Sequence, residues 1–195
     1  MRWFFGTLVA VLIGLTVYVG SAVVSLDGLV KAAKAGDGAA VLARTDTARV
    51  RRSLVDQIVS AYLAQIGQTR PVKPLERLAA NTYGASIADA MIAKMLTAEN
   101  LTALLSRGEI NDGEDPAAMF RLTQLDTSRV LQTLIRLSPT KPVEFAIQLG
   151  ETANDGGISL HFEGNGWKLS GIQLPPAALQ VLANSLVNSR HHRNG

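Results

Sequence analysis

The run VEFAIQLGETANDGGISLHFEGNGWKLSGIQL, from Val143 to Leu174, decides the fold class. Val143, Phe145, Ile147 and Leu149 alternate with Glu144, Ala146 and Gln148, and Ile158, Leu160 and Phe162 alternate with Ser159 and His161. Successive side chains of a strand point to opposite faces, so this period of two marks strands with one buried face. Asn154-Asp155-Gly156-Gly157 and Gly164-Asn165-Gly166 supply the turns, and the run reads as an antiparallel meander. In the last strand the apolar positions change phase, from Trp167 and Leu169 to Ile172 and Leu174. An extra residue at Ser170-Gly171, a β-bulge, accounts for the shift.

Downstream, Pro175-Pro176 starts a final helix carrying Leu179, Leu182 and Leu186, and residues 190–195 read as a disordered tail. Upstream, Leu131 to Leu137 fits a fourth strand or a helix, with a strand favoured for Thr133–Leu137; Asn111–Pro116 is a polar turn, and Pro116 opens a short helix to Leu122. Before that the spacing is helical. Thr97 caps a helix with Leu101, Leu104 and Leu105 inward and Gly108 past its end. Ser86-Ile87-Ala88-Asp89 fits a capping box opening a helix with Ile87, Met91, Met95 and Leu96 inward. Thr69–Pro74, TRPVKP, is a linker, since two prolines forbid regular helix there, and Leu75–Ala80 adds a turn or two.

Asp46 caps a longer helix with Val50, Leu54, Ile58, Ala61 and Tyr62 on its apolar stripe, Arg49, Arg52 and Asp56 toward water, and Gly67 at its end. Gly36 ends a helix carrying Leu26, Leu29, Val30 and Ala33, and Asp37 caps a short one through Val41 and Leu42. Helices first and strands later indicate α+β: a helical segment packed on a small, three- to four-stranded antiparallel meander, with a C-terminal helix.

The front of the chain is different. From Trp3 to Leu26, WFFGTLVAVLIGLTVYVGSAVVSL, there is no charge. About 20 apolar residues suffice to cross a hydrocarbon core of ~30 Å, so the segment reads as a transmembrane anchor through residues 3–26. The rival is a cleaved signal peptide, for which Gly20-Ser21-Ala22 offers small residues, but the apolar run exceeds the usual ~7–15 residues. Arg2 and the free amine give a positive flank, which places the N-terminus in the cytoplasm and the domain outside, although Lys31 and Lys34 follow closely. Gly6, Gly14 and Gly20 form no Gly-x-x-x-Gly pair. The expected division is residues 1–26 as anchor, 27–189 as one extracytoplasmic domain and 190–195 as tail.

Composition narrows function more than it assigns it. Aromatics are 5% of residues, so the core must be aliphatic. A net charge of +3, with the densest basic run Arg49, Arg51 and Arg52 beside Asp56, reads as a solvated helix face rather than a nucleic-acid footprint. Zero cysteines exclude disulfides, thiolate metal sites and cysteine nucleophiles. His161 is the one histidine outside the tail; Ser159 and Glu163 flank it, but strand neighbours on one face stand ~7 Å apart, too far for a catalytic set. It reads as an exposed strand histidine.

His191 and His192 lack the supporting shell of a metal site. Ser86 within Gly84-Ala85-Ser86-Ile87-Ala88 follows no strand, as a nucleophile elbow would. Asn111, Asp112, Glu114 and Asp115 lack calcium-loop spacing, with Gly113 misplaced. Trp167 reads as a core anchor of the sheet, and Gly36-Asp37-Gly38 is no phosphate loop. No catalytic, cofactor-binding or metal residue is assigned, and no cofactor.

Two stretches, GLVKAAKAGDGAAVLARTDTARVRRSLVDQ (Gly28–Gln57) and GNGWKLSGIQLP (Gly164–Pro175), behind a hydrophobic helix, resemble the bacterial domain-of-unknown-function family 2939 over nearly the whole chain after the anchor. That resemblance implies a small exported or membrane-anchored bacterial protein and brings no activity, cofactor or catalytic residue. The expectation is therefore a non-enzymatic, single-pass protein of the bacterial inner membrane, its domain periplasmic, with the lipid bilayer and another envelope protein as partners. The alternatives are a small-molecule or lipid carrier with a cleft between helices and curved sheet, and a hydrolase using His161.

Overall fold

The computed structural model describes residues 2–107, 137–141, 143–148, 156–164 and 166–191. The turn at Asn111–Pro116, the helix to Leu122, Gly108, Asn154, Asp155 and the tail from His192 lie outside the described residues, as does Thr133–Leu137 except for Leu137 itself. The chain begins with α1 (Arg2–Lys34), one unbroken helix of 33 residues. Gly36, at φ 69°, stops it, because the left-handed backbone there costs glycine nothing. Asp37 then caps α2 (Gly38–Ala43), accepting from the Ala40 amide at 2.8 Å, and Asp46 caps α3 (Thr47–Thr69), accepting from Arg49 at 3.1 Å. Val50, Leu54 and Ile58 line the buried face of α3, with Ala61 and Tyr62 half-buried and Arg49, Arg52 and Asp56 exposed, as their spacing predicts. The helix runs through Gly67 to Thr69, because the residue that cannot stay helical is the one before Pro71.

The capping box at Ser86 does not form. Pro74 opens α4 (Pro74–Ala79), which continues through a π-helical turn, Ala80–Gly84, into α5 (Ala85–Met95), so Ser86 sits inside a helix. Asp89, the would-be box acid, instead holds Arg51 of α3 through two bonds of 2.5 and 2.6 Å. Ala88 and Ile92 are buried, while Ile87, Met91, Met95 and Leu96 pack only partly against the core. Thr97 accepts from the Asn100 amide at the start of α6 (Ala98–Arg107), whose Leu101 and Leu104 are buried. Gly38 is pressed onto α6: its amide donates to Thr102 Oγ1 at 3.0 Å, and a Cβ there would lie 2.3 Å from the Ala98 carbonyl oxygen.

The strands β1 (Leu137–Lys141), β2 (Glu144–Gln148), β3 (Gly157–Phe162) and β4 (Trp167–Gln173) form one antiparallel meander in the order β1-β2-β3-β4. The first strand thus begins where Thr133–Leu137 ends, and it holds Pro139, which an edge strand tolerates. Phe145, Ile147, Ile158, Leu160, Trp167, Leu169 and Ile172 are buried. Ser159 pairs Gly171 and Leu160 pairs Leu169, leaving Ser170 as the extra residue. Its hydroxyl donates to the Ser159 carbonyl at 3.2 Å. This is the bulge the phase change requires. Last comes α7 (Pro176–His191), which holds Ala178 and Leu182 in the core and extends through Arg190 and His191, the first two residues read as tail.

The outer edge of β4 is covered rather than open, as edge strands require. Leu169 donates its amide to the Arg44 carbonyl at 2.9 Å and accepts from the Asp46 amide at 2.8 Å. Farther along, the side-chain amide of Gln57 takes the place of a neighbouring strand. It donates to the Ile172 carbonyl at 2.7 Å and accepts from the Leu174 amide at 3.0 Å. These contacts lay α3 along β4, from Leu169 to Leu174.

Candidate functional site

Two features stand out, one at each end of the domain. The first is the junction between α1 and the sheet. Phe5 to Val17 are exposed along their whole length. Tyr18 is then half-buried, and its ring meets Trp167 edge-on at 5.0 Å, Phe145 at 6.0 Å and Phe162 at 6.2 Å. Trp167 also meets Phe145 at 4.8 Å and Phe162 at 5.4 Å. In a chain with so few aromatics, four gather here. The Trp167 Nε1–H donates to Ser21 Oγ at 2.9 Å, and the Ser21 hydroxyl donates to the Tyr18 carbonyl at 2.7 Å. Ala22 and Leu26 are fully buried. Residues on the anchor side of position 26 therefore belong to the packed core of the domain.

The second feature is a groove beyond the far end of β4, between the last turns of α3 and the α4–α5 helix. Its volume is about 270 Å³, and it is lined by Tyr62, Ile66, Leu75, Ala79, Tyr83 and Ile87. Tyr62 is 15 residues past Thr47, so at 1.5 Å per residue the groove begins about 22 Å along α3 from its start. Arg70 and Glu76 brace its mouth through two bonds of 2.7 and 2.8 Å. The Arg70 hydrogen bond, helped by the Lys73 amide, lowers the Glu76 carboxyl to about 2 and raises Arg70. The π turn sits beside the groove, a distortion common at functional sites. Leu75, Leu78 and Tyr83 around it are 78%, 62% and 74% exposed, which is much apolar surface for one short segment.

The residues that the sequence singled out for chemistry are not brought together. His161 is half-buried rather than exposed, with Nδ1 enclosed and unbonded. Its cross-strand neighbours are Glu144 and Lys168. Glu163 is held by Lys168 at 2.6 Å, and the Ser159 carbonyl is engaged by Ser170. Arg49 bonds Asp46 at 3.0 Å, Arg51 is held by Asp89, and Arg52 is exposed, so the basic run is divided among separate partners. Among the described residues no three His, Asp or Glu side chains gather as a metal site would need. Between helices and sheet the described residues enclose a void of only about 20 Å³, edged by Leu54, Ile92, Leu101, Leu104, Leu174 and Leu182. That is room for about one water.

Neither feature was assigned from sequence. The junction joins residues 146 positions apart. The groove had one local sign, Leu75 and Leu78 lying off the stripe that Ile87 and Met91 continue. Residues 11–104 match the model of a family described as Protein of unknown function (DUF2939). The match runs from within α1 to α6 and takes in Gly28–Gln57, the first of the two resembling stretches, while Gly164–Pro175 and the sheet lie outside it. No curated protein and no solved structure matches the chain.

Proposed function

We propose that this chain, over residues 11–104 a member of the DUF2939 family, is a single-pass membrane-anchored interaction module without catalytic activity. The observation that carries this reading is the unbroken course of α1. Its first half is apolar and exposed from Phe5 to Val17, which water does not tolerate in a helix, while its second half is the core of the domain. A core helix of a soluble protein would be buried along its whole stripe. A cleaved signal would end near Ala22, and cleavage there would take Tyr18 and Ser21 away from Trp167 and expose Leu26. The uncleaved anchor leaves every one of these contacts in place.

The module belongs to a bacterial inner membrane, with Arg2 on the cytoplasmic side and the domain in the periplasm; the positive N-terminal flank and the family resemblance support this orientation. The groove at the opposite end, with Leu75 and Tyr83 exposed, is the face offered to an envelope protein. Two measurements test the reading. Intact-mass analysis of the protein from washed membranes should return the full chain, and a soluble chain starting beyond Ala22 would overturn the anchor. Photo-crosslinking in intact cells from position 83 should capture a second protein, whereas recovery of the chain alone would remove the interaction role.

A further inference from the structure

Resting on the membrane reading above, we infer that the end of the sheet beside α1 is itself a lipid-contacting surface, so that the domain lies flush on the bilayer instead of hanging from a tether. A tether needs a flexible stretch, and none exists here. The helix that would cross the membrane continues without a break to Lys34, and Tyr18 and Ser21 fix it to β2, β3 and β4.

Length then sets the depth. From Arg2 to Tyr18 there are 16 helical steps, about 24 Å at 1.5 Å each, against a hydrocarbon core of ~30 Å. With Arg2 held at one interface, Tyr18 cannot clear the other. The Tyr18–Trp167–Phe145–Phe162 cluster is drawn into the interfacial layer, where amphipathic rings are most at home.

The backbone places two loops at this same end. Phe162 donates its amide to the Val143 carbonyl at 2.9 Å, which sets the β1–β2 turn beside the β3–β4 hairpin. Past the Phe162–Trp167 pair the Glu163 amide donates to the Gly166 carbonyl at 2.9 Å, which holds that end of the hairpin together. These loops carry Val143, exposed to water, and two lysines each tied to a glutamate, Lys141 to Glu144 and Lys168 to Glu163. An exposed valine flanked by two neutralised ion pairs suits the headgroup layer. The ligand is the headgroup zone of the bilayer that α1 crosses, not a separate protein.

Because the chain has no cysteine, single labels are clean. Nitroxides at Val143→Cys and Glu163→Cys, and at Leu78→Cys beside the groove, can be compared after reconstitution into vesicles of phosphatidylethanolamine with a minority of phosphatidylglycerol. Labels at 143 and 163 should collide several-fold more with oxygen relative to a water-soluble nickel chelate than the label at 78. Equal ratios at all three sites, in protein that floats with the vesicles, would overturn the flush placement and leave the anchor standing. Protein that does not float would overturn both. Quenching of Trp167 by brominated lipids in the Trp3→Phe chain provides a readout free of any substitution on the loops; absence of quenching in floating protein also overturns it.

Discussion

Leu12 and Leu26 lie on one helix, in one apolar run, and the structure gives them opposite tasks. Leu26 is fully buried, surrounded by a core that includes Ala22, Leu29 and Val30, whereas Leu12 is 53% exposed on the part of α1 that packs against nothing else in the described residues. Leu26→Ala removes three carbons from a close-packed site. At about 0.8 kcal/mol per buried CH₂ the transfer loss alone is about 2.4 kcal/mol, and the cavity left behind brings the cost to about 2–5 kcal/mol. Domains are stable by about 5–15 kcal/mol, so this is a large share of the total. Leu12→Ala should change domain stability by no more than about 0.5 kcal/mol. Urea unfolding in detergent, followed by Trp167 fluorescence in the Trp3→Phe chain, separates the two. With a slope of about 1–3 kcal/mol per molar urea, Leu26→Ala should lower the midpoint by about 1 M or more. Midpoints that coincide for the two variants would refute the claim that the end of the anchor is the core of the domain.

Gly38→Ala should destabilise by about 1–3 kcal/mol in the same assay, because its Cβ meets backbone of α6 that cannot yield as a side chain could. Gln57→Met should cost about 1–3 kcal/mol and speed hydrogen exchange at the Leu174 amide, since both the Ile172 carbonyl and that amide lose their partner. The Glu76 carboxyl should titrate near 2 in the folded protein by NMR; because this lies below its unfolded value of about 4.3, the Arg70–Glu76 brace stabilises above that pH and is lost as pH falls toward 2. Arg70→Met should move the titration back up, and an unmoved midpoint would reject Arg70 as its cause.

What could be read from the chain follows from how local each signal is. Asp37 and Asp46 cap helices using amides three residues away, so the deciding partner lies inside the same short window. The phase change between Leu169 and Ile172 exposes the bulge because burial on one face leaves only one place for the extra residue. Ser86-Ile87-Ala88-Asp89 carries an equally good local signal and misleads. The helix arriving from Pro74 removes the free amides that Ser86 would cap, and Asp89 gains more from Arg51, 38 residues away. Tyr18 has no mark at all. In an apolar run a tyrosine looks like one more lipid-facing residue, and only the return of Trp167 beside it makes it a joint. His161 was misjudged for a related reason: alternation says which face a side chain takes but not what covers that face.

On the membrane reading proposed above, the joint and the bilayer also compete, and magnitudes decide which yields. The shortfall between the 24 Å from Arg2 to Tyr18 and a ~30 Å core is about 6 Å, and mismatch costs fractions of a kcal/mol per Å, a few kcal/mol in all. Opening the joint to lengthen the lipid-facing helix would separate Tyr18 from three rings at roughly 0.5–1.5 kcal/mol each. It would also strand the Trp167 N–H for about 1–3 kcal/mol more, and then expose Ala22 and Leu26. The joint is the stronger of the two, so the lipid adapts by thinning around the domain or by letting its rim sink. Thicker bilayers should therefore raise Trp167 quenching by lipids brominated near the headgroup while leaving the urea midpoint unchanged. A midpoint that falls as acyl chains lengthen would mean that the joint opens first.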